Sequence, residues 1–283
     1  MNYNSVRTLW LADLEFFRSL GLPFQPENHS TLNEYFDILH DAPLPENTYP
    51  TIKYLAIGRG GHANISGSNG ADKSRNMEHD ITDATLKEHI PFLVSQIING
   101  VEVGITISQR AGLRMRKVFE KGGKTYVAYY LKVIDIDAAR PTKTVFHTEN
   151  SVTTAVPYEA TPAQLAPIMY PPANGETVES TSKHISSSIN LSVNLDKDDI
   201  NNIIEACIVI YGDSEMATIS EVALVSGIDA NHSNGEGVTN AVTYTELKAA
   251  QCCNFTGGRT ELNFNSRVVG IDFSLNSTRK ARN

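Results

Sequence analysis

The stretch between Lys183 and Asp229 constrains the fold more than any other part of the chain, because the spacing of its apolar residues changes twice. From Ile185 to Leu195 apolar and polar residues alternate, which places one set on each side of an extended chain. This alternation predicts a half-buried strand. A second strand, more fully buried, is predicted over Ala217 to Val225.

A helix is predicted between these strands, from Asp196 to Tyr211. Asp196 suits the N-cap position, and Gly212 suits the left-handed conformation at a helix end. Apolar residues recur at helical spacing and predict one buried stripe. The stripe consists of Ile200, Ile203, Ile204, Cys207 and Ile208.

The first 50 residues predict an N-terminal helical arm. Residues 5 to 20 and 31 to 40 have helical spacing, and three prolines follow before residue 51. The aromatic arm docks either on its own core or on a neighbouring subunit, and the sequence leaves both alternatives open. Its candidate subunit contacts are Leu9, Trp10, Leu14 and Phe17.

The glycine cluster from Gly58 to His62 follows a predicted strand over Thr51 to Ile57. It lacks the Lys-Ser/Thr of a P-loop, and no helical pattern follows it, so a phosphate site is not expected. The cluster predicts a turn into a long surface loop that ends near Asp80. Arg59 and His62 are further candidate subunit contacts.

The remaining sequence predicts mainly antiparallel sheet. A Gly122-Gly123 hairpin joins two strand patterns, and a Pro-rich crossing segment spans residues 157 to 172. The predicted domains are therefore the arm (1–50) and a β-rich core (51–283). The fold class is α+β, with a sandwich-like antiparallel core, a few packed helices and an N-terminal helical hairpin.

Finer predictions are a strand over Val101–Ile107, weak structure over Ala138–Val156, a helix over Tyr244–Cys252 and closing strands over Glu261–Leu275.

Composition restricts the class of function. The 283 residues carry a formal charge of −8, which disfavours general binding to nucleic acid or to anionic membranes. The sequence contains neither an apolar run long enough for a membrane span nor the pattern of a signal peptide. Three cysteines are too few for a disulfide framework and favour a reducing compartment.

No catalytic, cofactor or metal residues are assigned from the sequence, and the chain is not expected to be an enzyme. The eight histidines are scattered without a known metal-binding spacing. A metal site that combines His62 and His79 with Asp80 or Asp83 is the alternative to solvated loop residues, and the solvated loop is favoured. No cofactor is expected.

Three stretches resemble virion structural proteins of tailed bacteriophages. They are YLAIGRGGH (Tyr54 to His62), GKTYVAYYLKVID (Gly123 to Asp135) and ACIVIYGDSEMATISEVALVSGID (Ala206 to Asp229). The first is similar to a strand of baseplate wedge proteins in contractile-tailed phages. Within the third, Ile219 to Gly227 is similar to segments of phage tail and fibre-attachment proteins. These patterns are structural and carry no catalytic residues.

The resemblance implies an assembly protein of the tail baseplate or neck. It implies other virion proteins as partners, a homo-oligomer or ring, and a location in the virion after assembly in the host cytoplasm. No direct nucleic-acid partner and no membrane span are expected. The alternative function is a carbohydrate- or cell-surface-binding β domain, such as an adhesin, suggested by Tyr residues and by loops rich in Asn and Ser.

Overall fold

The computed structural model describes residues 5–66, 72–136, 140–165, 179–233 and 243–282. The chain divides into two compact units. Unit one comprises Met1–Ile136 and Val193–Ile271, and unit two comprises Asp137–Ser192 and Asp272–Asn283. The predicted division into an arm (1–50) and a core (51–283) stays a prediction.

Strands make up most of the regular structure, and every strand pairing with a described register is antiparallel. In chain order the strands are β1 (Ser5–Arg7), β2 (Thr51–Gly58), β3 (His62–Ser66), β4 (Asp72–Asn76), β5 (His89–Ile90), β6 (Leu93–Ile98), β7 (Val101–Glu102), β8 (Leu113–Lys121), β9 (Lys124–Val133), β10 (Thr142–Glu149), β11 (Val152–Pro157), β12 (Glu179–Leu195), β13 (Thr218–Ser233), β14 (Thr243–Glu261) and β15 (Val269–Arg282). The predicted antiparallel, β-rich character of the chain is therefore confirmed.

Unit one is built on a nine-stranded sheet with the order β1-β14-β13-β2-β9-β6-β7, in which β5 also pairs with β2 and β8 with β9. The strands β3 and β4 form a separate hairpin. A four-stranded sheet has the order β11-β10-β12-β15. The central strand β13 is buried from Thr218 to Ile228, because β2 and β14 pair with its two edges.

Four α-helices lie in the described part of the chain. They are α1 (Leu9–Leu20), α2 (Leu32–Phe36), α3 (Ile107–Ala111) and α4 (Lys197–Tyr211). None of them is long and apolar enough to cross a membrane. Both N-terminal helices lie within the predicted segments but are shorter, because Thr8 and Thr31 cap their first turns and residues 5 to 7 form a strand instead.

The helix α4 has the predicted ends. Asp196 accepts a hydrogen bond from the backbone N–H of Asp199, and Gly212 takes the left-handed conformation with φ 84°. Four residues of the predicted stripe are buried, but Ile208 is 42% exposed, so its predicted burial is wrong. The buried face of α4 also includes Ala206. Ile208 lies at the other edge of this face, where solvent reaches it.

Several local predictions are wrong because long-range pairing decides the structure. Residues 244–252 form part of β14 instead of a helix, since β13 pairs along this segment. The Thr-rich stretch 138–156 contributes β10 and β11. Only Val101–Glu102 of the strand predicted to Ile107 forms, because Thr106 caps α3.

The loop predicted from Gly58 to Asp80 contains the β3–β4 hairpin, while residues 67–71 lie outside the described residues. The Gly122-Gly123 hairpin is confirmed, with φ values of 57° and 72°. Of the crossing segment at 157–172, the described part contains a single 3-10 turn, Pro162–Leu165, and residues 166–172 lie outside.

Candidate functional site

The carboxylate of Glu221 lies at the centre of a junction formed with Gly60, His79, Lys87 and Glu88. Glu221 lies on β13 and its side chain is fully buried. One oxygen accepts hydrogen bonds from the backbone N–H groups of Gly60 and Glu88, both at 2.9 Å. The other accepts from the N–H of Lys87 at 3.0 Å and lies 2.8 Å from Nε2 of His79. One buried acid thus joins three separate segments of the chain.

His79 completes this junction and is only 3% exposed at its side chain, so its predicted solvated loop position is wrong. Nδ1 lies 2.7 Å from a carboxylate oxygen of Asp83, and the ring stacks on Phe255 with a centroid separation of 4.0 Å. Because both ring nitrogens already have carboxylate partners, neither is left to take a proton from a substrate. The arrangement suits a structural brace better than a catalytic base.

Electrostatics keep the two acids ionised. Burial acts to raise the pKa of Glu221, but hydrogen bonds from His79 and from the Glu88 and Lys87 backbone outweigh it, so the pKa lies below its ordinary value. Burial opposes the same shift at Asp83, where hydrogen bonds from the Asp80 backbone and from His79 lower the pKa. The charged forms of both acids therefore belong to the folded state.

The glycine cluster packs closely against the carboxylate of Glu221. A Cβ atom at Gly58 would lie 2.6 Å from Oε1 of Glu221 and 2.6 Å from the backbone carbonyl oxygen of Glu88. A Cβ atom at Gly60 would lie 2.9 Å from Oε1 of Glu221 and 2.9 Å from the backbone nitrogen of Glu88. The Glu88 backbone cannot move aside as a side chain can, so only glycine fits at these two positions. The predicted turn is thereby explained by close packing on a protein carboxylate.

Arg59 and His62, the two contact candidates of this turn, have different surroundings. Nε of Arg59 pairs with Glu88 at 3.1 Å, and its guanidinium lies 4.7 Å from the centre of the Tyr211 ring. Nδ1 of His62 is buried and has no hydrogen-bond partner among the described residues. Burial and the nearby Arg259 and Arg59 lower the pKa of His62.

The alternative metal site of the sequence analysis is not assembled as predicted. His79 is brought to Asp83, but its second nitrogen faces Glu221 and not His62. Across the part of the chain that the structure describes, no group of three His, Cys, Asp or Glu side chains could hold a metal ion.

The first turn of α1 contacts the same junction. The backbone N–H of Leu9 donates to the carbonyl of Ile81, and Nε1 of Trp10 donates to the carbonyl of Asp83 at 3.1 Å. The Thr8 hydroxyl donates to the Cys252 carbonyl on β14 at 2.8 Å. The sequence-predicted residues Leu9 and Trp10 thus lie beside the segment that carries His79.

The inner face of α1 packs on its own unit. Leu14 is buried in a small cluster with Phe24 and Ala249, and Phe17 packs against this cluster with its ring 5.6 Å from that of Phe24. The side chains of Leu14 and Phe17 are therefore occupied within the chain, and their role as subunit contacts stays a prediction.

The outer face of α1 is apolar as well. Leu9, Phe16 and Leu20 are 43%, 66% and 70% exposed, and Leu22 beyond the helix is 47% exposed. We call these four residues the outer stripe. Phe16, Leu20 and Leu22 were not among the contacts predicted from the sequence. The spacing i, i+7 and i+11 of Leu9, Phe16 and Leu20 marks a second apolar face on the helix.

The chain belongs to a family of unknown function, DUF7208, whose model matches residues 1–279. No curated protein and no solved structure matches the chain.

Proposed function

We propose that this member of the DUF7208 family is a structural subunit of a tailed-bacteriophage virion, without enzymatic activity, that assembles through subunit contacts into the tail baseplate or neck. The observation that carries this proposal is the outer stripe. Phe16 and Leu20 are 66% and 70% exposed on the same helix. Large apolar side chains that are exposed side by side usually mark a surface that a partner covers.

The outer stripe suits a subunit contact because its helix is held firmly from behind. The strand β1 pairs with β14, the Thr8 hydroxyl bonds to the same strand, and Leu14 is buried beneath the helix. Rigid apolar anchors lose little conformational freedom on binding and dominate interface energetics. In this proposal Leu9, a candidate contact from the sequence, acts together with Phe16 and Leu20.

The finer features of the predicted fold belong to the same proposal. We take α1 and α2 as an N-terminal helical hairpin whose inner side docks on the core and whose outer side meets a neighbouring subunit. This combines the two alternatives that the sequence left open for the arm. The sandwich-like arrangement of the core stays a prediction.

The assignment to a phage virion rests on the resemblance of the three sequence stretches. It implies other virion proteins as partners and assembly in the host cytoplasm. The occupant proposed for the outer stripe is a second copy of this chain, as in a homo-oligomeric ring.

The test is the double variant Phe16→Asp/Leu20→Asp. Both side chains are exposed, so the melting temperature is expected to stay within about 2 °C of the wild type, while two charges in the contact disrupt the oligomer. Sedimentation velocity of the purified protein should show a concentration-dependent oligomer for the wild type and a monomer for the variant.

The matched control is Ile107→Asp/Val152→Asp, which places two charges at apolar positions that are 83% and 63% exposed elsewhere on the surface. It should sediment like the wild type. A wild-type chain that stays monomeric at every concentration, or a stripe variant that keeps the oligomer, would exclude this contact. Co-purification of the tagged chain with virions tests the phage assignment separately.

The carbohydrate-binding alternative stays a hypothesis. Of the Asn- and Ser-rich loops that suggested it, residues 67–71 and 234–242 lie outside the described residues. Binding of a neutral glycan by the isolated monomer would favour it.

A further inference from the structure

Unit one contains a pocket of about 480 Å³ that the assembly proposal does not use. Its volume lies within the range of small-molecule sites in proteins. Its wall combines α2, the segment before and into β5, and the hairpin strands β8 and β9. The lining residues are Tyr35, Phe36, Lys87, Glu88, His89, Lys117, Phe119 and Tyr130.

Aromatic rings form much of the wall. Phe36 stacks on Tyr130 with ring centroids 4.5 Å apart, and Tyr35 meets the edge of Phe36 at 4.9 Å. Tyr35 is 51% exposed although it is a large aromatic residue. A flat ligand could cover such a side chain by stacking.

Two of the three charged side chains in the wall, Lys87 and Glu88, have ion-pair partners within the chain. Glu88 is paired with Arg59, and Nζ of Lys87 lies 3.5 Å from a carboxylate oxygen of Asp83. Lys117 has no carboxylate partner among the described residues, and its ammonium lies 5.9 Å from the centre of the Phe36 ring. One positive charge beside the aromatic wall is therefore left without a protein counter-charge in the described chain.

The buried ring of His89 packs behind the aromatic wall. Its Nε2 accepts a hydrogen bond from the backbone N–H of Leu86 at 3.3 Å, so the ring hydrogen of the neutral form lies on Nδ1. Burial keeps the ring neutral, since it lowers the pKa of His89 to about 4. Nδ1 is buried without a partner in the described part of the chain. The ring is surrounded by Tyr35, Phe36 and Tyr130, all residues of the pocket wall.

We propose that this pocket binds a small planar anion, a flat ring that carries one carboxylate or phosphate group. The ring stacks on the aromatic wall, and the acidic group pairs with the ammonium of Lys117. The site is independent of the outer stripe.

The test is isothermal titration calorimetry of the full chain with four probes. Naphthalene-2-carboxylate and adenosine 5′-monophosphate present a flat ring with each kind of acid. 2-Naphthylmethanol presents the ring without charge, and glucose presents a neutral sugar. At least one of the two anions is expected to bind at least tenfold more tightly than both neutral probes. The tighter anion identifies the acidic group, and its binding should weaken as salt is added.

Lys117→Met removes the ammonium and keeps an apolar stem, so it should lower the affinity for the anion about tenfold. The matched control is Lys124→Met, on the same hairpin but outside the wall, which should bind like the wild type. Tyr35→Ser removes an exposed part of the wall and gives a second reading if Lys117→Met folds poorly; it should also weaken binding. The proposal is overturned if no anion binds at millimolar concentration, if a neutral probe binds as tightly, or if both wall variants bind like the wild type.

Discussion

Nε2 of His79 lies 2.8 Å from a carboxylate oxygen of Glu221, and this contact is closed off from solvent on both sides. It joins the segment after the β3–β4 hairpin to the central strand β13. The same carboxylate accepts three backbone N–H groups from two other segments. A buried acid with four partners holds together parts of the chain that are more than 130 residues apart.

Glu221→Gln should destabilise the protein by about 3–5 kcal/mol, because the amide cannot accept all four hydrogen bonds and leaves buried donors without a partner. Urea unfolding measures this free energy. The control is Glu215→Gln, at an exposed position just before the same strand, which should change it by less than about 0.5 kcal/mol. An equal, small effect of both variants would contradict the proposed brace.

Stability should fall as the pH is lowered from 6.5 to 4, and His89 is one identifiable cause. Its pKa is lowered by burial to about 4, whereas an unfolded chain keeps a value near 6.5. Between these values the unfolded state binds more protons, so protonation favours unfolding by up to roughly 3 kcal/mol. Glu221 and Asp83, whose pKa values are also lowered, act in the same direction at lower pH.

Urea unfolding at several pH values checks this dependence. His89→Gln should lose less stability between pH 6.5 and 4 than the wild type, whatever its stability at neutral pH. Parallel curves for the wild type and His89→Gln would show that His89 does not contribute.

Ile204 and Ile208 on α4 provide a matched pair. Ile204 is 1% exposed, so Ile204→Asp should unfold or aggregate the chain, because an unpaired buried carboxylate costs several kcal/mol. Ile208 is 42% exposed and lies one turn further along, so Ile208→Asp should remain folded. Melting curves measured by circular dichroism compare the two variants. Equal melting temperatures would mean that the helix is rotated from its position in the structure.

Local signals predicted the elements whose ends are set by nearby residues. The caps Asp196 and Gly212 define α4, and Gly122 with Gly123 defines the β8–β9 turn. These features require only a few neighbouring residues, so the sequence carries them directly.

Long-range partners decided what the sequence could not predict. The helix expected over Tyr244–Cys252 is part of a strand, and Glu246 within it accepts hydrogen bonds from the backbone N–H groups of Met115 and Arg116. Glu221 carried a usable signal, since it is a lone acid in a run of buried strand residues. Its partners, however, become visible only when the fold brings them together.

The side chain of Asn33 hydrogen-bonds to backbone groups of β14 beside Ala249, which has a positive φ. We therefore expect Asn33 to stabilise the fold. Ala249 has φ 48°, and Asn33 compensates by accepting from the N–H of Ala250 at 2.8 Å and donating to the carbonyl of Leu247 at 2.7 Å. Asn33→Ala should therefore cost about 2–3 kcal/mol of unfolding free energy. Asn190→Ala, at an exposed strand position, is the control in the same urea titration and should be nearly neutral.

Deletion of residues 1–28 distinguishes a docked arm from a free one. The deletion removes β1 and α1, which leaves one edge of β14 without its partner and uncovers the cluster that contains Ala249. It retains Asn33. A melting temperature lower by at least about 10 °C is expected, because the lost apolar burial amounts to several kcal/mol in a chain of this size.

The comparison with Phe16→Asp/Leu20→Asp makes this deletion informative. The two variants share the loss of the outer stripe, but only the deletion removes the inner contacts of Leu14 and Thr8. The substituted chain should therefore melt like the wild type while the truncated chain does not. If the truncated chain keeps the wild-type melting temperature and loses only its oligomer, then β1 and α1 are a free arm and their docking on β14 contributes little to the fold.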